Sequence, residues 1–254
     1  MNLDLFELLK NKYIKYVDSF EQSEELIQKK THSLNVSVIA RQICEFVVPS
    51  TAQQLTTEIA ALYHDIGRFE QLLRYKTFND WESEDHALLG INVIKNNNLF
   101  DGLDNDEQEI IFTIIENHNK KQINQGIISS TATLCNVIRD ADKIDILHIL
   151  SKHYESKTTN NTLTLNLPDS LTYNTSMIKT IMNAEIGSYQ DLKSINDFKL
   201  LQLSWVFDIN FAISHVLIHQ AKYFESIYNS INIKSPEIDL AYSMTYGINE
   251  AFLH

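Results

Sequence analysis

The sequence predicts an all-α protein. Three observations carry that prediction. Turn-forming residues are scarce, with six Gly and three Pro in 254 residues, where average use would supply roughly 18 and 13. Apolar residues recur three and four apart through most of the chain, the spacing that lines one face of a helix. A single stretch, Thr162-Leu163-Thr164-Leu165-Asn166-Leu167, alternates with the period of two that suits a strand, which predicts a short strand or hairpin near 160–168.

Each helix has its own signal. Leu5, Leu8, Leu9, Tyr13 and Tyr16 predict an amphipathic first helix, and Glu24 to Lys30 a short second one. A third begins near Thr31 or Ser33, turns Val36, Ile39, Ala40, Ile43 and Phe46 to one side, and stops before Pro49. Thr51 caps the next, with Leu55, Ile59 and Leu62 inward, and Gly67 ends it. Residues 71–82 read as an irregular aromatic loop. Ser83 with Glu84 and Asp85 caps a helix carrying His86, Leu89, Val93 and Ile94, which Asn96-Asn97-Asn98 breaks. Helices follow over Asp104 to His118 and Ser129 to Leu150, then over Ser176 to Ile186, Phe198 to Ile231 and Glu237 to Phe252. With no repeat and no long linker, a single domain over 1–254 is expected, with a core at about 20–150 and a C-terminal helical extension at about 170–254.

The formal net charge of −12 repels nucleic acid and anionic lipid at long range, so no nucleic acid polymer is expected as a partner. The longest apolar run, Leu200 to His219, is interrupted by Asp208, Asn210 and His215, so no membrane partner is expected. The acidic start, Met1-Asn2-Leu3-Asp4, does not resemble a secretory signal, and a cytoplasmic location follows. Cys44 and Cys135 both sit in apolar helical patterns and read as buried thiols.

Chemistry-bearing residues stand in a spaced order: His32, the doublet His64-Asp65, His86, His118 and Asp140, with Asp142 and Asp145 as competing carboxylates near the last. Most lie in apolar-periodic segments, where an unpartnered polar group is costly. Imidazole and carboxylate donors together suit Mn, Fe, Zn, Co or Ni better than Mg or Ca. A His-Asp pair alone means little among nine His; the ordered set carries the signal. Arg68 and Lys143, three residues after Asp65 and Asp140 respectively, are each able to grip a phosphate oxygen or to pair with a neighbouring carboxylate. Arg74, Tyr75, Lys76, Phe78 and Trp81 can line a substrate mouth or simply pack as a loop. Asp208 can support a ligand imidazole. His215 and His219, spaced i, i+4, lack a third ligand.

This order, with His64-Asp65-Ile66-Gly67-Arg68-Phe69-Glu70-Gln71 and Asp85-His86-Ala87-Leu88-Leu89-Gly90, resembles the HD-domain metal-dependent phosphohydrolases and their signature H…HD…H…H…D. The resemblance implies an HD-type helical bundle. It implies that His32, His64, Asp65 and Asp140 hold one metal and that Asp65 bridges to a second, held also by His86 and His118. Two divalent transition metals (Mn, Fe, Ni, Co or Zn) would then activate water against a small anionic phosphate-containing substrate, a nucleotide or another mono- or diester. Relatives that cleave cyclic dinucleotides carry a downstream Gly-Tyr-Pro, which this chain lacks. Two alternatives share the ligand set: a mixed-valence di-iron oxygenase and a noncatalytic metal-binding sensor. The long C-terminal helices can pair, which leaves a homodimer open.

Overall fold

The computed structural model describes residues 1–156 and 163–253, and these are helices and connecting turns with no strand among them. The chain divides into two compact units, Met1–Asp142 and Lys143–His254. No helix among the described residues is long and apolar enough to cross a membrane.

The first unit holds α1 (Leu3–Val17), α2 (Glu24–Val47), α3 (Thr51–Tyr63), α4 (Gly67–Tyr75), α5 (His86–Asn96), α6 (Asn105–Asn117) and the start of α7 (Ser129–Ser156). The short helix expected over 24–30 and the one expected after it, up to Pro49, are one helix of 24 residues, capped by the Ser23 side chain on Leu26 N. Nothing between Lys30 and Ser33 breaks helical geometry, because neither Gly nor Pro is present. The centre of the unit is α3, packed against α1, α2 and α6. Thr56 through Tyr63 are all buried, and small residues at Ala60 and Ala61 let neighbouring helices approach. Ile43, Ile59, Leu62, Ile111, Ile114 and Ile115 fill the core, each side chain contributing about 1.5–3 kcal/mol of burial. Tyr63 donates its hydroxyl to Leu9 O at 2.8 Å and meets the Tyr13 and Phe100 rings edge-on.

The segment after the doublet departs from expectation. Gly67 does not end a helix: α3 stops at His64, and Gly67 opens α4, so residues 67–75 are helical where a loop was expected from 71. The reason is a crossing of two glycines. A Cβ built on Gly67 would lie 2.1 Å from His86 O and 2.6 Å from Gly90 N. Gly67 therefore brings the start of α4 against the backbone of α5. Of the cap segment Ser83-Glu84-Asp85, it is Asp85 that caps α5, by accepting from Ala87 N and Leu88 N. Ser50 rather than Thr51 caps α3.

The second unit holds the rest of α7, then α8 (Thr175–Met182), α9 (Ile195–Ser204), α10 (Ala212–Gln220), α11 (Tyr223–Ser230) and α12 (Pro236–Glu250). The strand expected near 160–168 is a turn over 163–166; its first residues, 160–162, lie outside the described ones. Leu165 and Asn166 take φ of 56° and 54°, in the left-handed region that no strand uses. The single helix expected over 198–231 is three, separated by a 3-10 turn at Trp205–Asp208 and by left-handed Lys222. Asp197 anchors the start of α9 by accepting from Asn174 N and Lys193 N. His215 stacks on Phe252 and contacts Asn249 Oδ1 through Nδ1 at 2.9 Å. Those contacts give His215 a packing role within the unit.

Candidate metal centre

Three helix termini, one turn and two helix interiors bring the candidate residues of the first unit together. His64 caps the C-terminus of α3, and Asp65 follows in the turn to α4. His86 is the first residue of α5, and His118 caps the C-terminus of α6. His32 projects from within α2. Adjacent residues on a regular helix point about 100° apart; the turn after α3 frees His64 and Asp65 from that constraint.

Asp65 lies at the middle, with its two carboxylate oxygens facing different partners. Oδ2 is 3.8 Å from His32 Nε2, 3.8 Å from His64 Nε2 and 2.8 Å from Lys29 Nζ. Oδ1 is 3.2 Å from His86 Nε2, 3.9 Å from His118 Nε2 and 3.5 Å from Arg68 Nε. Donors each about 2.1 Å from one ion stand roughly 3.0–4.2 Å apart, so both sets have cation-sized spacing.

A carboxylate that the sequence offered only as a competitor, Asp142, stands beside His32 and His64. Asp142 Oδ1 lies 3.0 Å from His32 Nε2 and 3.8 Å from His64 Nε2. Asp140, expected as the last ligand, is fully buried on α7 but joins none of the potential metal-holding groups among the described residues. Two residues along a helix is a rotation of about 200°, so Asp140 and Asp142 leave α7 in different directions. Of the two nearby competitors, Asp142 groups with His32 and His64, and Asp145 joins no such group among the described residues.

The imidazoles are held so that one nitrogen of each points inward. His64 Nδ1 lies 2.6 Å from Ala61 O and His118 Nδ1 lies 2.6 Å from Ile115 O. A carbonyl only accepts, so each Nδ1 must carry the proton, which leaves Nε2 as a lone pair. His86 Nδ1 lies 2.7 Å from Asp80 Oδ2, which assigns its proton the same way. The Nε2 atoms of His86 and His118 are then 2.9 Å apart, lone pair against lone pair, and His64 Nε2 is buried with no hydrogen-bond partner. Converging lone pairs and an orphaned buried nitrogen are costly in a dry site and fit a cation. Burial, then repulsion from His86 and His64, pushes His118 down to about 3. Burial lowers His64 as well. Both therefore stay neutral, the form that ligates. Burial alone would raise Asp65, but Lys29, His64, Arg68 and His86 outweigh it and hold the carboxyl well below the usual range. Asp142 is likewise lowered against its burial, by His32 and His64.

Several supporting residues escaped the sequence reading. Asp80, in a short 3-10 turn over Asp80–Glu82, bonds His86 with one oxygen and Arg68 with the other at 2.8 Å. Those contacts bring it down to about 2 in spite of its burial. Gln71 donates to Asp80 Oδ1 and Ser83 Oγ and accepts from Arg68. No periodicity marks Asp80. Lys29 had a signal, since it lies three residues before His32 on the same face of α2. A further grouping of Asp80, Asp85 and His86 is taken up otherwise, because Asp85 caps α5 and pairs with Lys120 at 2.8 Å. Lys143 pairs with Asp208 at 2.6 Å, the ion-pair alternative left open for it. Trp81 and Tyr75 are exposed. Cys44 and Cys135 are buried free thiols, raised by that burial to about 12 and about 11.

The HD domain family model matches residues 30–171, more than half of the chain, and the chain belongs to the HD-domain family of metal-dependent phosphohydrolases. That membership carries a metal-dependent, hydrolase-type function, and the buried His/Asp groups of the first unit can hold a metal. No curated protein and no solved structure matches the chain.

Proposed function

We propose that the chain is a phosphohydrolase acting on a small phosphate ester with two divalent transition cations. His32, His64, Asp142 and Oδ2 of Asp65 would hold one cation; Oδ1 of Asp65, His86 and His118 would hold the other. The observation that carries this reading is the split of Asp65, whose two oxygens face two separate imidazole sets. When bound, such a pair neutralises phosphoryl charge and activates a water as nucleophile.

The chain's own residues perform the remaining tasks. Ala61 O, Ile115 O and Asp80 fix the three inward-pointing imidazoles in the ligating tautomer. Arg68 is pinned by Phe78 O, Gln71 and Asp80 while its Nε faces Asp65. It positions the bridging carboxylate and brings a fixed positive charge to the site. The buried setting strengthens each of these electrostatic contacts.

Hydrolysis of a panel of phosphate mono- and diesters, with Mn, Co, Ni and Fe supplied in turn, tests the reading. Wild type is expected to hydrolyse at least one ester in a metal-dependent way. Asp142→Asn is expected to lose about 100-fold or more in kcat/KM, with metal content falling below wild type. Asp140→Asn is expected to keep its metals. Metal-replete protein that is inert on the whole panel would sink the hydrolase reading, and O2 uptake by an iron-loaded sample would replace it with the oxygenase.

A further inference from the structure

The site contains a cation that the tasks above do not use. Lys29 reaches Asp65 Oδ2 from α2 at 2.8 Å, and its side chain is one-quarter exposed, so it stands at the boundary between the buried carboxylate and solvent. Its ammonium also sits 5.5 Å from the centre of the Phe78 ring. Arg68 and Lys29 differ in how freely their charge can move. The Arg68 NH1 group is held by Phe78 O, Gln71 and Asp80, all protein atoms, while its Nε is buried without a hydrogen-bond partner and faces Asp65 Oδ1 at 3.5 Å. Lys29 has Asp65 as its hydrogen-bond partner, and an ammonium carries three donors. It is also a flexible point charge that can turn toward a ligand, as a pinned guanidinium cannot.

Charge counting says what ligand such a site takes. Asp65, Asp80 and Asp142 bring three negative charges, and Lys29 and Arg68 bring two positive ones. Two divalent cations would turn the single excess negative charge into three positive. A phosphomonoester dianion offsets more of that excess than a diester monoanion does. In a site this buried, each uncompensated charge is expensive. Divalent cations on Asp65 would also satisfy the carboxylate that now holds Lys29 and release its ammonium toward the open side.

We propose that Lys29 is a substrate-binding residue that grips a non-bridging oxygen of a terminal phosphate and makes the site selective for phosphomonoester dianions over diesters. The proposal rests on the two-cation reading of the site. Its test needs no turnover. Wild type, Lys29→Met and Lys29→Arg are loaded with Mn, assayed for metal content, and titrated calorimetrically with inorganic phosphate, methyl phosphate and dimethyl phosphate above pH 7.5. Wild type is expected to bind the first two at least about tenfold tighter than dimethyl phosphate. Lys29→Met is expected to keep wild-type metal content and to lose about tenfold or more for inorganic and methyl phosphate, with little change for dimethyl phosphate. Lys29→Arg, which keeps the charge, should recover part of the loss.

Equal weakening of all three ligands, unchanged phosphate binding in Lys29→Met, or a wild type that binds no phosphate would each overturn the proposal. A wild type that takes up no metal overturns it together with the reading beneath it. Metal-loaded protein that shows this binding pattern but cleaves no ester contradicts the hydrolase reading while upholding the role of Lys29.

Discussion

Asp65→Ala is expected to abolish metal retention and to cut kcat/KM by about a thousandfold or more. Removing an outer support of a metal ligand costs about 10–100-fold, and Asp65 is asked for more than that. Its two oxygens stand between the imidazoles of His32 and His64 on one side and those of His86 and His118 on the other. It is also the carboxylate that Lys29 and Arg68 face. The substitution leaves those cations beside one another with the central negative charge gone, so electrostatics then opposes entry of any further cation. Elemental analysis and hydrolysis rates read the outcome together. Two metals per chain with a wild-type rate would remove Asp65 from its central place.

Gly67→Ala is expected to destabilise the first unit by roughly 3 kcal/mol or more, despite being a single added methyl. Two effects oppose one another. Ala favours a helix over Gly by about 1 kcal/mol, and Gly67 begins α4. Against that, the new Cβ would meet His86 O at 2.1 Å and Gly90 N at 2.6 Å, both backbone atoms that no rotamer change can clear. Overpacking costs typically about 1–3 kcal/mol where side chains can yield, and here α4 and α5 must separate. The clash wins. The expected result is a fall of roughly 6–12 °C in the melting temperature of the unit. A drop in metal content should accompany it, because the backbone displaced first is that of His86. An unchanged melt with full metal content would show that the crossing has slack.

The same glycine illustrates what a sequence displays and what it hides. Helix existence was legible, because Val36, Ala40 and Ile43, or Ile111, Ile114 and Ile115, repeat at helical spacing and are buried. Helix limits were less so. Gly67 reads as a stop in one dimension, since its freedom of φ suits a helix end, yet it serves a close approach between α4 and α5. Lys222, with a φ of 56°, ends a helix pattern that its residue type gave no reason to end. Leu165 likewise turns an alternating stretch away from a strand. Tertiary contacts made those choices, and local pattern does not encode them.

The site shows the same division. Five of the six expected ligand positions, His32, His64, Asp65, His86 and His118, come together, because an ordered motif reports residue types that one centre needs. Beside His32 and His64 the structure brings Asp142, two residues beyond the expected Asp140. Asp140 and Asp142 share composition and neighbourhood, and only the phase of α7 relative to His32 separates them. Asp80 and Lys29 act from outside the motif, one from a turn without periodicity and one from the preceding turn of α2. Their roles depend on distances across the fold.

The most direct test of the central claim is anomalous diffraction at the manganese edge from crystals of Mn-loaded protein. The account predicts two peaks, one on each side of the Asp65 carboxylate. The first should lie against His32, His64 and Asp142, and the second against His86 and His118. Absence of any peak at Asp65, or manganese bound only away from these imidazoles, would contradict it.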